Sequence, residues 1–234
     1  MLEFKSYASS SDGNLYAVAS NGTALLLEAG LSLASVRRSL GFKLSQFDGC
    51  LLTHEHQDHA KGAADMLRAG VDIYCTAGTA CGAGLSGHRL HVVEPLKQFK
   101  VGPWKILPFP TIHNAEQPAG FLLANGQDKL LFAVDTATLA YQFRGLTHIA
   151  IECNWESSRL RDSVFQGHME RFVARKIRRA HMSLERLEMF LRAQDLGRVQ
   201  EIHLLHLSDN NVSEDRARRK VEGIAGVPAY VADK

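Results

Sequence analysis

The stretch Thr53-His54-Glu55-His56-Gln57-Asp58-His59 puts three histidines and an aspartate within six positions, directly after the apolar run Cys50-Leu51-Leu52. Polar groups crowded at the end of an apolar strand are costly to bury without hydrogen-bond partners or a ligand. Imidazole nitrogen and carboxylate oxygen together suit zinc, manganese or iron. Alternate residues of an extended strand share a face, so Leu52, His54 and His56 are expected to point one way. Asp58 and His59 are expected in the first turn of the helix that follows. Two adjacent metal sites result, one fed from the strand and one from the helix start. The competing reading is a solvated polar loop, and the spacing HxHxDH arises by chance in roughly one chain per thousand.

A two-metal centre needs more ligands than these four. His113, in "LPFPTIHNAEQPAGF", lies between two strands; Asp135, in "LLFAVDTATL", ends an apolar strand; His206, in "IHLLHLSDNN", ends another. Taken alone, either histidine could be structural, and Asp135 could cap a turn through Thr136. Their shared placement at strand ends, beside the first cluster, favours ligation. Two metals would polarise a substrate oxygen and turn a shared water into hydroxide near neutral pH, which suits in-line attack on phosphorus.

The elements that must position these residues follow from local pattern. "LEFKSYA", "LYAVAS" and "TALLLEAG" read as strands, with Asn21-Gly22 a two-residue hairpin turn. "SLASVRRSLGF" has helical spacing with Ser32 as its cap. "FDGCLLT" reads as a buried strand, "DHAKGAADMLRAG" as one helix, and "VDIYCT" and "RLHVVEP" as strands flanking the small-residue stretch "AGTACGAGLSG". A second strand run covers "KQFKVGPWKILPFP", "AGFLLANGQDKLLFAVD" and "THIAIEC". The chain then turns helical: "SLERLEMFLRAQDLG" sets Leu184, Leu187, Phe190 and Leu191 on one face. "VQEIHLLHLS" is a strand, "SEDRARRKVEGIAG" a helix capped by Ser213, and "PAYVAD" a last strand. Strand-rich halves that each end in helices, with no linker between them, predict one layered α/β domain over 1–234 with helices outside a sheet core.

Composition bounds the rest. With 234 residues, 45% hydrophobic and 22% charged, the chain reads as globular rather than disordered. A formal charge of +2 excludes a strongly basic coat, so nucleic-acid binding would rest on a local patch. Four scattered cysteines without CxxC spacing predict a reduced, cytosolic protein. Neither a signal-peptide pattern nor a stretch of membrane-spanning length is present, so a cytoplasmic location without a membrane partner is expected.

"THEHQDHAKG" with the later His113, Asp135 and His206 resembles the metallo-β-lactamase fold superfamily. Five further segments resemble its YycJ/WalJ-type branch: "SSSDGNLYAV", "LLLEAGLS", "IHNAEQPAGF", "IAIECNWE" and "LLHLSDNNVSED". The resemblance implies a metallo-β-lactamase-like four-layer αββα sandwich and a metal-dependent phosphodiesterase. In it His54, His56 and His113 hold one metal, Asp58, His59 and His206 hold the other, and Asp135 bridges. It further implies zinc or manganese as the pair of ions, with iron also accommodated, and DNA exonuclease activity of 5′-to-3′ polarity. Asp58 would bind metal and orient the attacking water. His181 matches a non-ligand histidine that related phosphodiesterases place beside the leaving group, where a placed acid contributes about 100- to 10,000-fold in rate. A plain role for His181 before a helix capped by Ser183 is equally open. The chain departs from the branch at Asn114 and Glu28, each where aspartate is usual, and at Ala180, where glycine precedes the histidine.

The segment "SSRLRDSVFQGHMERFVARKIRRAH" runs into His181 and carries many arginines. Arg175, Arg178 and Arg179 are the candidates for holding the phosphates of a nucleic-acid strand; the alternative is a solvated helix face. The patch itself does not separate DNA from RNA, and the preference for DNA is what the resemblance implies. Phe165 and Phe172 could stack a base, but core packing is the expected use. "DRARRKVEG" is expected to be an exposed helix surface. Two other readings stay open: a small-molecule hydrolase of the same fold acting on a cyclic phosphodiester or thioester, and a non-catalytic metal-stabilised binding protein. Oligomeric state leaves no mark in the sequence.

Overall fold

The computed structural model describes residues 1–41 and 43–233; Phe42, expected to end the first helix, lies outside the described residues. The chain divides into two compact units, one built from Met1–Pro110 and Ala115–Asp128 together with Asp233, the other from Thr111–Asn114 and Lys129–Ala232.

The first unit starts with three antiparallel strands, β1 (Glu3–Ser10), β2 (Gly13–Ser20) and β3 (Thr23–Leu27). Asn21 and Gly22, at φ 52° and 78°, make the expected tight turn between β2 and β3. Helix α1 (Leu33–Ser39) begins where Ser32 Oγ accepts the Ser35 N–H at 3.2 Å, as its sequence predicts. From there the sheet grows by parallel strands: β4 (Cys50–Leu51), then helices α2 (Gln57–Ala60) and α3 (Ala63–Arg68), β5 (Ile73–Cys75), α4 (Ala77–Gly82) and β6 (Leu90–Val92). Its six strands lie in chain order, β1 to β6. A meander of β7 (Phe99–Val101), β8 (Trp104–Pro110) and β9 (Ala119–Asn125) completes the unit.

One expectation changes here. The helix expected over "DHAKGAADMLRAG" is two short ones, because at Gly62 the backbone N–H leaves the helical pattern and donates to Ala29 O at 2.7 Å. In the small-residue stretch after β5, to which the sequence assigned no element, Thr76 Oγ1 accepts the Thr79 N–H at 3.3 Å and starts α4. A cap of this kind outweighs the low helix propensity of Gly78.

Four strands pair in parallel in the second unit: β10 (Asp128–Ala133), β11 (His148–Glu152), β12 (Glu201–Leu205) and β13 (Ala229–Val231). Leu130, Leu131, Phe132, Ala133, Ile149, Ala150 and Ile151 are all buried, the continuous apolar run expected of strands covered on both faces. The helices are α5 (Ser157–Phe165), α6 (Arg171–Ala180), α7 (Leu184–Arg192) and α8 (Glu214–Ala225). Helix α7 buries Leu184, Leu187, Phe190 and Leu191 as its period predicts, and Ser183 caps it through the Arg186 N–H at 3.2 Å. Ser213 caps α8, and Gly226, left-handed at φ 69°, ends it.

Phe132 is fully buried in the middle of β10. Phe132→Ala is expected to lower unfolding stability by about 3–5 kcal/mol through lost transfer energy and a residual cavity. Urea denaturation checks this: the midpoint should fall with the slope unchanged.

Candidate metal centre

In the first unit the expected strand is shorter than its sequence suggests. Strand β4 stops at Leu51, so His54 and His56 lie beyond its carboxyl end, the first buried and the second half-buried. His54 Nε2 and His56 Nδ1 are 3.1 Å apart, and the Thr53 hydroxyl lies 2.9 Å from His54 Nδ1. Asp58 occupies the first turn of α2, as expected, and its Oδ2 is 3.3 Å from Nε2 of the fully buried His59. The rings of His54 and His59 are 4.2 Å apart. The first unit therefore gathers His54, His56, Asp58 and His59 into one cluster.

Around that cluster stand Glu28, where the branch usually has aspartate, and Asn14. Glu28 ends the apolar β3 segment, is fully buried, accepts the Thr53 N–H at 3.3 Å and comes within 3.5 Å of His59 Nδ1. Asn14, also buried, reaches the Asp58 carbonyl and His59 Nε2, each at 3.2 Å, through its Nδ2. Both hold backbone and ring positions of the ligands expected from the sequence, the part usually played by the outer partners of a metal site.

The second unit repeats the principle at three neighbouring strands. Asp135 follows the carboxyl end of β10, Glu152 is the last residue of β11, and His206 follows β12. Carboxyl ends of adjacent parallel strands are where open α/β sheets place their ligands. Asp135 and His206 adopt φ of 48° and 53°, a conformation non-glycine residues rarely hold and one that concentrates at functional sites. His113 Nε2 lies 3.3 Å from Asp135 Oδ2, and His206 Nδ1 lies 3.3 Å from Asp135 Oδ1. His181 Nδ1 is 2.6 Å from Glu152 Oε1. The unit thus brings together the expected His113, Asp135, His181 and His206, and adds Glu152.

Glu152 is the residue the sequence reading missed. It is fully buried and accepts the backbone N–H groups of Thr136 at 2.9 Å and Met182 at 3.1 Å. The signal was present: "HIAIE" and "TALLLE" end apolar strands in a carboxylate, as "LLFAVD" does, and the same cost of burial applies. Asn154 supports His206, donating from Nδ2 to its carbonyl at 2.9 Å.

Electrostatics follow from these contacts. Burial opposes charge on His181, but the carboxylates of Glu152 and Asp135 and the Glu152 hydrogen bond outweigh it, so its pKa is raised. Burial alone would push the Glu152 carboxyl up, yet His181 and the hydrogen bonds from His181 and His206 bring it below the ordinary value. His113 goes the other way: burial dominates over Asp135 and lowers its pKa, favouring the neutral ring a metal requires. Burial pushes the Cys75 thiol up to about 12, consistent with cysteine as an inert packing residue.

The donor set fits a divalent transition metal. Asp135, Glu152, His181 and His206 each offer an atom within 4.8 Å of the others, and all donors are imidazole nitrogen or carboxylate oxygen.

Helix α6 carries Arg175, Arg178 and Arg179, all exposed. Its last residue, Ala180, accepts a hydrogen bond from His113 Nδ1 at 2.9 Å, and His181 follows directly. Core packing, expected for Phe165 and Phe172, is not what is found: they are 91% and 63% exposed, because the helices pack through Leu160, Ala174 and Ile177 instead. The second basic run is the exposed surface expected, with Arg218 paired to Glu222 and Lys220 to Glu188.

Residues 23–206 match the family described as "Beta-lactamase superfamily domain". The chain belongs to that family. Among its relatives in this superfamily, exodeoxyribonuclease WalJ of Streptococcus pneumoniae is 27% identical over 231 residues, covering 91% of this chain and 84% of the relative. Exodeoxyribonuclease YycJ of Bacillus anthracis is 25% identical over 238 residues, covering 95% and 89%. These relatives support the resemblance to the YycJ/WalJ branch. The metallo-beta-lactamase fold protein YhfI of Bacillus subtilis superposes with a TM-score of 0.72 at 16% identity, over 100% of this chain and 97% of that one. The metallo-β-lactamase-like α/β fold class expected from sequence is therefore the fold of this chain. Membership makes it a metal-dependent hydrolase by class, and the clustered histidines and carboxylates support divalent metal use. Among the described residues no helix is long and apolar enough to cross a membrane.

Proposed function

We propose that the chain works as a single hydrolase domain over 1–234 that cleaves phosphodiesters at the ends of DNA strands, from the 5′ end, with two divalent ions of zinc or manganese. In this reading His54, His56 and His113 hold one ion, Asp58, His59 and His206 the other, and Asp135 both. The ions, when bound, supply Lewis acidity toward a phosphoryl oxygen and make water nucleophilic near neutral pH.

The chain's own groups do the rest. Asp58 orients the attacking water. Glu152 holds His181 through Nδ1 at 2.6 Å, and the Trp155 indole N–H donates to the His181 carbonyl at 3.0 Å. Both contacts fix the imidazole and leave Nε2 to hand a proton to the departing oxygen. Arg175, Arg178 and Arg179 on α6 attract the phosphates of the strand. A cytoplasmic location belongs to the same reading.

The observation that carries the chemistry is the group of buried Asp135, Glu152 and His206 at the ends of parallel strands, with the half-buried His181 beside them. DNA as substrate is supported by the relatives named exodeoxyribonuclease, whose similarity extends over 91% and 95% of the chain.

The test is digestion of 5′-phosphorylated and 5′-hydroxyl DNA strands by the purified protein with added manganese, beside an Asp58→Ala control. Stepwise release of mononucleotides, lost in the control, is expected and reports polarity at once. Intact strands after incubation with metal-loaded protein would turn the reading to a small-molecule phosphodiester or thioester hydrolase.

A further inference from the structure

We infer that the outward face of α6, with Phe172 near its start and Phe165 at the end of α5, is a stacking platform that grips single-stranded nucleic acid a few nucleotides from the cleaved bond. The inference rests on the nuclease reading above and adds what the substrate must be: a strand with unpaired bases.

Helix α6 has two unlike sides. Ala174, Ile177 and the buried Ala180 lie on the inner side, and Ala174 and Ile177 make a small core with Trp155, Leu160, Val164 and Met169. Phe172, Lys176 and Arg179 form one outward stripe at i, i+4 and i+7; Arg171, Arg175 and Arg178 form a second beside it. Every residue of both stripes is exposed.

Two features of this face lack a purely structural use. First, Phe172 and Phe165 leave 63% and 91% of their surface to solvent, with Val173 a further 40% exposed. Aromatic rings carry large apolar area that folding normally buries. Second, the charges are uncompensated. Elsewhere in this unit Arg159 and Arg216 share Glu156, and Arg218 pairs with Glu222. No carboxylate among the described residues pairs with Arg171, Arg175, Lys176, Arg178 or Arg179. Like charges at i, i+4 repel along a helix, and a polyanion removes that repulsion.

An aromatic ring set among cations is the arrangement that holds single strands: the cations track the phosphates and the ring takes a base face. Lys176 Nζ already sits 4.5 Å above the Phe172 ring, so the cation and the stacking surface are one unit. Helix α6 then ends in Ala180, which accepts the His113 N–H, and in His181. Eight residues at 1.5 Å each separate Phe172 from Ala180, about 12 Å. At 3.4 Å per stacked nucleotide that is about three to four nucleotides. Continuity with the histidine cluster favours a strand being fed to the reaction over a lipid surface, which would have no reason to meet it.

The test uses the purified full-length chain and three probes: a labelled phosphorothioate thymidine 12-mer, an abasic 12-mer of equal charge, and vesicles of phosphatidylserine and phosphatidylcholine. The native chain is expected to bind the thymidine strand about ten-fold more tightly than the abasic one. Phe172→Ala should abolish that preference, while Phe172→Trp keeps it. Equal affinity of the native chain for both strands, or an unchanged preference in Phe172→Ala, would overturn the platform. Vesicle binding that Phe172→Ala removes, with no base preference, would assign the face to a membrane surface instead. Digestion with manganese is scored separately. Digestion without base preference refutes the platform and spares the nuclease reading; base preference without digestion does the reverse.

Discussion

Asp135→Asn is expected to lower metal content and to cut hydrolysis by about a thousand-fold or more, with the fold intact. The expectation comes from what surrounds the carboxylate. Asp135 is 3% exposed, and its two oxygens meet His113 and His206 at 3.3 Å and His181 at 3.7 Å. A carboxylate so deeply buried is expensive unless cations or a metal repay its desolvation. Asparagine keeps the shape and tolerates the left-handed backbone that Asp135 adopts at φ 48°. Loss of function would therefore report the missing charge and not a displaced chain. Groups that act as a unit in a reaction lose activity by orders of magnitude when one member goes. Glu152→Gln supplies the internal scale. Glu152 touches His181 and supports it, and removing partners of that kind costs about 10- to 100-fold. Metal analysis of the purified variants, circular dichroism and rates on a DNA strand read all three quantities. A full metal complement in Asp135→Asn, or a rate within ten-fold of native, would remove Asp135 from the ligand set.

The same residue shows why much of this centre was legible in the sequence. A carboxylate or imidazole that closes an apolar run has nowhere cheap to go, and Asp135, His206 and the His54–His59 cluster each stand in that position. Glu28 and Glu152 obey the same rule at the ends of β3 and β11, and both are fully buried. The sequence marks Glu28 only as a departure from the branch and gives Glu152 no role, because a glutamate after an apolar strand is also a common way to enter a loop, and only the contacts with His59 and His181 tell the cases apart. Periodicity was a sound guide where burial drives it, as in α7, and a poor one where a single backbone contact decides, as at Gly62. Phe165 and Phe172 show the opposite limit. Composition says that phenylalanine packs inside, and nothing local says that Ala174 and Ile177 take the inner face of α6 instead.

Gly30→Ala is expected to be nearly as damaging to hydrolysis as a ligand change, although Gly30 offers no side chain to chemistry. Its backbone passes so close to its neighbours that a Cβ placed there would lie 1.7 Å from the Asp58 carbonyl oxygen and 2.5 Å from the Asn14 nitrogen. Real carbon and oxygen atoms do not approach that closely, so one of the two backbone segments must move by more than an ångström. Neither is a free end. The Gly30 N–H donates to Asn14 O at 2.9 Å, and the Ala29 N–H donates to His59 O at 2.7 Å. Asn14 Nδ2 in turn reaches the Asp58 carbonyl at 3.2 Å. These bonds tie the turn after β3 to the start of α2, and relieving the clash breaks some of them. Each bond lost leaves buried backbone groups unsatisfied, at about 1–3 kcal/mol apiece. The displaced residues are Asp58 and His59, and misplacement of reacting groups by about 1 Å costs about 100-fold in rate. Thermal unfolding of Gly30→Ala should therefore fall by several degrees, with hydrolysis down about 100-fold in the protein that remains folded. A variant as stable and as active as the native chain would show that the turn relaxes without moving Asp58. The tight packing of Gly30 would then be incidental to the placement of the cluster. With stability lost but the rate kept, the turn would matter for folding and leave the histidine cluster to be positioned by Glu28 and Asn14.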